Sequence, residues 1–222
     1  MASSPTFLGG RGTAPISGLY AVTPDLLDSD ALLERVAAAL AGGASAVQYR
    51  NKIASPPLQR AQALRLRDLC AAHNAIFIVN DDVDLAYAVD ADGVHLGRDD
   101  GSLEQARRKL GRGAILGASC YDSLARAAEA VAAGADYIAF GSFFPSLIKP
   151  DAVRAEPSLL TAAKSRWSVG VVAIGGITAA AAPALIDAGA DALAVIGAVF
   201  DATDVAAAAR AFRDVYAARA LT

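Results

Sequence analysis

The sequence predicts a single α/β domain closed as a (β/α)8 barrel, and three observations predict it. Short apolar runs alternate with longer, Ala-rich amphipathic stretches from residue 16 to residue 217, the pattern of parallel strands covered by helices. One junction recurs: Ala41-Gly42-Gly43-Ala44, Ala133-Gly134-Ala135-Asp136 and Ala188-Gly189-Ala190-Asp191, with Asp90-Ala91-Asp92-Gly93 in the equivalent place. Gly just past a helix takes the left-handed backbone that closes it. The length, 222 residues, suits one such barrel. Repetition of a single helix–turn–strand unit favours closure over an open doubly wound sheet, the alternative architecture.

In chain order, strands are expected at 16–22, 45–49, 76–79, 93–95, 114–118, 137–140, 170–174 and 192–196, each a short apolar run bounded by polar or glycine residues. The helices between and after them are expected at 29–40, 58–73, 83–89, 102–109, 123–132, 157–164, 179–188 and 205–217. Residues 1–14, a mixture of Ser, Pro, Gly and Thr, are read as a flexible tail, leaving 15–222 as the barrel domain. That tail has neither the basic nor the apolar segment of a signal peptide. No apolar run reaches the roughly 20 residues that span a bilayer, so neither membrane contact nor export is expected and a cytoplasmic location is.

Composition narrows the function. Hydrophobic residues are 55% and aromatic ones only 6%, so the core is aliphatic and large. A net charge of −3 argues against the broad basic face that nucleic acid requires, yet allows a local basic pocket for a phosphorylated small molecule. Cys70 and Cys120 form neither a disulfide framework nor a metal-ligand spacing.

A barrel places its chemistry in the loops after the strands. After the second strand, Gln48, Arg50 and Lys52 alternate to one side of Gln48-Tyr49-Arg50-Asn51-Lys52, two cations and an amide suited to a phosphate or diphosphate. Asn80-Asp81-Asp82 follows the third strand and His95-Leu96-Gly97-Arg98-Asp99-Asp100 the fourth. One carboxylate from each could hold a Mg²⁺ that substrate phosphates complete. Asp82 and Asp100 could instead cap helices, and His95 reads better as a packed histidine than as a ligand. Ser119 ends the fifth strand as a donor or an ordinary turn residue, with no histidine near it in sequence to activate it. The longest loop, 141–151, carries Ser146, Ile148 and Lys149 and suits a lid bringing charge to a pocket. Gly175-Gly176 and Ile196-Gly197 after the last two strands let backbone N–H groups approach an anion, the recurrent phosphate site of such barrels. Two anion sites at one mouth fit an enzyme that joins or cleaves two phosphorylated molecules.

These segments resemble thiamine-phosphate synthase from residue 18 to about residue 217. The resemblance is carried by Gln48-x-Arg50-x-Lys52, Asn80-Asp81 with Asp84-Leu85-Ala86, Asp92-Gly93-Val94-His95-x-Gly97 with Asp100, Gly117-x-Ser119, Phe140 through Pro145, Lys149, and Gly175-Gly176-Ile177. It implies that Gln48, Arg50, Lys52, Asn80 and Lys149 hold the diphosphate of a pyrimidine substrate, with Ser119 beside it. It implies further that Asp81 and Asp100 bind Mg²⁺, and that Gly176, Ile196 and Gly197 offer amides to a thiazole phosphate, helped by Ser146. Lys149, Arg50 and Ser119 are then the candidate catalytic groups. Three positions depart from the family pattern: Arg98 where Gln is commonest, Ile148 where a hydroxyl residue is usual, and Gly197 where Ser is common.

The implied mechanism is dissociative: diphosphate leaves the pyrimidine CH₂ and the thiazole nitrogen attacks, so no general base is needed. Two other readings stay open at this point. One is a thiazole tautomerase-like relative, which needs an acid–base group and no diphosphate site. The other is a non-catalytic protein that only binds thiamine phosphates. A homo-oligomer is compatible with each reading.

Overall fold

The computed structural model describes residues 16–145 and 154–219. Eight strands, β1 (Gly18–Val22), β2 (Ala44–Tyr49), β3 (Ile76–Asn80), β4 (Gly93–Leu96), β5 (Ile115–Tyr121), β6 (Tyr137–Phe140), β7 (Gly170–Ile174) and β8 (Ala192–Val195), pair in parallel around a closed barrel in sequence order. Closure is made by Gly18 to Ala21 of β1 lying against Ala192 to Val195 of β8. The covering helices are α1 (Ser29–Ala41), α2 (Pro56–Ala72), α3 (Val83–Ala88), α4 (Leu103–Leu110), α5 (Leu124–Ala132), α6 (Ser158–Arg166), α7 (Ala182–Asp187), α8 (Gly197–Phe200) and α9 (Val205–Arg219). None of the described helices is long and apolar enough to cross a membrane.

Period-two alternation divides the core in two. Leu19, Val47, Phe77, Val79, Leu116 and Val171 point outward and pack beneath the helices. Tyr20, Val22, Ala46, Ile78, Tyr137, Val172, Ala192 and Ala194 point inward and fill the lumen. Small residues among the inward set leave room for the two tyrosines. Gly117 belongs to that device, because a Cβ there would lie 2.0 Å from Tyr137 Cζ.

The recurrent Gly-Ala-Asp junctions sit at the face opposite the functional loops. Gly43, Gly134 and Gly189 have φ of 106°, 90° and 112°, and Asp90 has φ 54° at the equivalent turn. The aspartates that follow hold the ladder: Asp92 accepts from Phe77 N at 2.7 Å, Asp136 from Leu116 N at 2.8 Å and Asp191 from Val171 N at 2.8 Å. Each carboxylate thus ties its own strand to the preceding one. This is turn chemistry that conserves register, and it keeps these acids away from the mouth.

Most element ends fall within one to three residues of expectation, and four differences have a clear physical reason. The ladder starts at Gly18 rather than at residue 16, with Gly18 N donating to Asp191 O at 2.9 Å. Strand β5 runs on to Tyr121, through a register shift between Ser119 and Tyr121. Helix α7 starts at Ala182 because Pro183, next in line, has no N–H to give and belongs in a first turn. Helix α8 was not foreseen, since Gly197-Ala198-Val199-Phe200 reads as a continuation of the apolar run of β8.

A tight approach of backbones is the sharpest test of this packing. A Cβ on Gly93 would lie 2.0 Å from the carbonyl oxygen of Ile115 on the paired strand, whereas one on Gly113 would meet nothing within 4 Å. Gly93→Ala should therefore cost about 1–3 kcal/mol, the range of overpacking, and Gly113→Ala should stay within ~0.5 kcal/mol of the parent. Urea unfolding midpoints of the two variants check this.

Candidate active site

The C-terminal ends of β1 to β5 bring most of the expected groups to one mouth. Arg50 follows β2 and is held from the loop after β1. Thr23, fully buried, donates to Arg50 O at 2.8 Å and accepts from Arg50 N at 2.9 Å. Asp25 receives Arg50 Nη1 at 3.0 Å and Lys52 N at 2.7 Å. Tyr49 and Asn51 point the other way, as alternation requires, both donating to Gln62 Oε1 on α2, at 2.9 and 3.0 Å.

Lys52 reaches across to the end of β3, where its Nζ lies 3.0 Å from Asp81 Oδ2. Asp81 has φ 63°, a left-handed conformation that Asp tolerates better than most residues, and its N–H donates to His95 O at 2.8 Å. Strain of this kind persists where the surroundings overdetermine it, as at functional sites. The neighbouring Asp82 is the N-cap of α3, accepting from Leu85 N at 2.8 Å. Capping therefore uses Asp82 and leaves Asp81 to the mouth. Arg50, Lys52, Asn80 and Asp81 line one cleft of about 270 Å³.

Asp100 is also free of capping, because Ser102 caps α4. Its Oδ2 accepts from Gly97 N at 2.9 Å, a reach that Gly97 permits, since a Cβ there would stand 2.5 Å from the same oxygen. Burial, and then the Asp81 carboxylate beside it, raise the Asp100 carboxyl above its ordinary range, while Gly97 N–H and Lys52 oppose the shift. The two carboxylates thus face one space. Among the described residues no cluster of three or more His, Cys, Asp or Glu side chains could hold a metal, but a Mg²⁺ completed by phosphate and water needs only one or two carboxylates. The pair fits that ion.

Ser119, at the end of β5, is not without a histidine. His95 Nε2 lies 2.8 Å from its Oγ, because β4 and β5 pair with His95 opposite Gly117 and Ser119 is two residues further along the same face. The expectation that no histidine reaches Ser119 considered neighbours in sequence, and the barrel register overturns it. His95 is buried as expected, and burial holds its imidazole down to about 4. Its other nitrogen meets the Tyr137 hydroxyl and not a carboxylate, so Ser119 still lacks a triad. Gln48 turns into the lumen, nearly buried, and donates to Tyr20 Oη at 2.7 Å.

On the opposite arc, Gly175 and Gly176 have φ of 103° and 62°. Neither could carry a Cβ without striking Ser142 or the carbonyl oxygen of Pro145. Phe143 N and Phe144 N donate to Ile174 O and Gly175 O at 3.2 and 3.0 Å, seating the start of the long loop on β7. Ile196 precedes the first turn of α8, whose leading residue is Gly197; N–H groups at a helix start have no partner within the helix. Ser146, Ile148 and Lys149 lie outside the described residues, as does the proposed 1–14 tail. Arg98 lies 5.3 Å from the Tyr121 ring centroid, with Arg126 5.6 Å from it.

Sequence reasoning missed Thr23, Asp25, Tyr20 and Tyr137. The rule that polar residues just after an apolar run are candidates would have found Thr23 and Asp25. Tyr20 and Tyr137 carried only the signal of a tyrosine within an inward-facing apolar run.

Comparison with known proteins agrees with the fold. A family profile described as thiamine monophosphate synthase matches residues 19–199. The chain is 55% identical over 204 residues to a thiamine-phosphate synthase of Chromobacterium violaceum, covering 92% of this chain and 98% of that one. It is 54% identical over 202 residues to a thiamine-phosphate synthase of Azoarcus sp., covering 91% and 98%. Among solved structures it resembles a thiamine phosphate pyrophosphorylase from Pyrococcus furiosus, with a TM-score of 0.80 and 37% identity, covering 90% of this chain and 96% of that one.

The facing carboxylates predict opposite effects on stability and on activity. The raised Asp100 carboxyl binds its proton more tightly folded than unfolded, so ionisation at neutral pH opposes folding and protonation relieves it. In metal-free buffer at neutral pH, Asp100→Asn should melt no lower than the parent. Any gap in its favour should close as pH falls and Asp100 takes up its proton. Melting curves from neutral to acid pH test this; a variant that melts well below the parent would show that the carboxylate stabilises the fold.

Proposed function

The chain belongs to the thiamine monophosphate synthase family, and on that premise we infer that it joins 4-amino-2-methyl-5-(diphosphooxymethyl)pyrimidine to 4-methyl-5-(2-phosphooxyethyl)thiazole, or to the carboxylated thiazole with loss of its carboxyl group as CO₂, giving thiamine phosphate and diphosphate. It is a transferase. The C–O bond to the pyrimidine CH₂ breaks with its electron pair leaving on diphosphate, and the thiazole nitrogen forms the new C–N bond. The attacking nitrogen carries no proton, so the protein needs no base. Its task is to hold two anionic partners in line and to balance charge as the leaving group forms.

The observation that supports this reading most is the meeting of Arg50, Lys52, Asp81 and Asp100 at the ends of three adjacent strands. We assign Arg50, Lys52 and Asn80 to the diphosphate, with Gln48 and Ser119 at its inner edge and Lys149 from the long loop. Asp81 and Asp100 would hold Mg²⁺, which when bound supplies positive charge to the departing diphosphate. Gly176, Ile196 and Gly197 would present amides to the thiazole phosphate, with Ser146 beside them. Gly197 retains such an amide contact where a serine side chain would have added a second. Ile148 cannot donate a hydrogen bond, so thiazole binding rests on the remaining groups. A cytoplasmic location suits the two buried free thiols, Cys70 and Cys120, whose pKa values burial pushes up to about 12.

Turnover with both substrates, followed by diphosphate release, tests the assignment. Activity should require Mg²⁺ and both substrates. Asp81→Asn and Asp100→Asn should each lower it by well over tenfold, on the order of the loss expected when a leaving-group charge is no longer balanced. Asn is suited to the left-handed backbone at residue 81, so that variant should retain its fold. Near-parent rates with ordinary Mg²⁺ dependence in either variant would remove the metal assignment. Isomerisation of the thiazole alone, or binding without turnover, would remove the synthase reading.

A further inference from the structure

Five polar side chains from five strands form one hydrogen-bonded file through the barrel. Gln48 Nε2 donates to Tyr20 Oη at 2.7 Å, and Tyr20 Oη lies 2.9 Å from Tyr137 Oη. Tyr137 Oη lies 3.0 Å from His95 Nδ1, and His95 Nε2 lies 2.8 Å from Ser119 Oγ. The rings are fixed as well as the hydroxyls: His95 stacks on Tyr137 at 5.5 Å and 24°, and Tyr20 meets Tyr137 edge-on at 6.1 Å and 82°. Tyr20 and Tyr137 are all but sealed from solvent. A hydroxyl sealed in this way must find its partners within the protein.

Counting protons gives the file a direction. An amide nitrogen only donates, so Tyr20 Oη accepts from Gln48, and its single proton goes to Tyr137. The single proton of Tyr137 then goes to His95 Nδ1. A neutral imidazole that accepts at Nδ1 carries its proton at Nε2, and Nε2–H donates to Ser119 Oγ. Ser119 accepts from within, and among the described residues its own proton has no other recipient. Reversing the file would require the Gln48 amide to turn over. Every hydroxyl would then point inward, and Ser119 would offer only lone pairs to the mouth. An anion at the mouth disfavours that arrangement.

We propose that the file Gln48–Tyr20–Tyr137–His95 fixes His95 as the Nε2–H tautomer and so makes Ser119 an obligatory hydrogen-bond donor to the leaving diphosphate. His95, Tyr137 and Tyr20 are positioning residues for Ser119, and they act without exchanging protons with the substrate. The tautomer follows from the orientation of the Gln48 amide; the exclusion of the reversed file, and the direction toward diphosphate, rest on the proposed reading of the mouth. The lumen that a closed barrel must fill thereby also sets the sense of a hydrogen bond at the reacting end.

Nitrogen-resolved NMR of the intact protein, with ¹⁵N-labelled histidine at neutral pH, reads the tautomer directly. The chain has two histidines, and a His73→Gln variant assigns the signals. The expected result is a single His95 species with Nε2 protonated and Nδ1 bare, with or without magnesium diphosphate. A protonated Nδ1, or a mixture of tautomers, would overturn the proposal. Tyr137→Phe keeps the ring and removes the hydroxyl, so His95 should become a mixture and turnover should fall about two- to fourfold, the cost of drawing the favoured tautomer from a mixed population. Ser119→Ala removes the donor outright and should cost roughly tenfold, the size of one hydrogen bond to a charged group, and the double variant should lose little more than Ser119→Ala alone. Fully additive losses would overturn the link to Ser119. If Tyr137→Phe fails to fold, the parent spectrum still decides the tautomer. A parent protein with the expected tautomer and no synthase turnover would fault the function and leave the file standing.

Discussion

The pairing of β8 back onto β1 is the constraint on which the rest of the molecule depends. Once Gly18 to Ala21 lie against Ala192 to Val195, eight strand ends share one rim, and alternate residues of every strand must fill one narrow lumen. Alanines at 46, 192 and 194 leave space that Tyr20 and Tyr137 occupy. Two phenols inside a barrel need hydrogen-bond partners, and the partners lead upward through His95 and Gln48 to the mouth. Closure thereby connects the packing of the core to the chemistry at the rim.

Charge at the rim is arranged before any substrate arrives. Asp25 steadies Arg50 and Asp81 steadies Lys52, so both cations are directed into the cleft. Lys52 is more than half exposed in its pair, and such a contact contributes little to stability. A phosphate can draw the ammonium away at small cost. Among the described residues Asp100 has no cation at hydrogen-bond distance, and it sits beside Asp81, an arrangement that disfavours the empty charged pair and would suit a divalent ion between substrate and protein.

Much of this was legible in the sequence because barrels separate their signals by position. Apolar runs marked all eight strands, and the residues just beyond them marked Arg50, Lys52, Asn80, Asp81 and Asp100. The choice between capping and chemistry was also approachable: Asp82 caps and Asp81 does not, while Ser102 relieves Asp100. Legibility ended where register decides contact. Ser119 and His95 are 24 residues apart and Tyr20 and Tyr137 are 117 apart; nothing in either segment states that they touch. Helix α8 was hidden for a local reason, because its four residues continue an apolar run and no polar cap separates them from β8. Asp25 was passed over because only the segments after the second to eighth strands were weighed, although it follows the apolar run of β1 much as Lys52 follows that of β2.

The central claim is that one rim holds a divalent ion between Asp81 and Asp100 and a diphosphate on Arg50 and Lys52. A crystal structure with Mn²⁺ in place of Mg²⁺ and with diphosphate, solved with anomalous scattering at the manganese edge, tests it most directly. The account predicts one manganese peak bridging the two carboxylates to diphosphate oxygens, with Arg50 and Lys52 on the same diphosphate and Ser119 Oγ within hydrogen-bond distance of it. Manganese elsewhere, or diphosphate seated only on the glycine turns after β7 and β8, would contradict it.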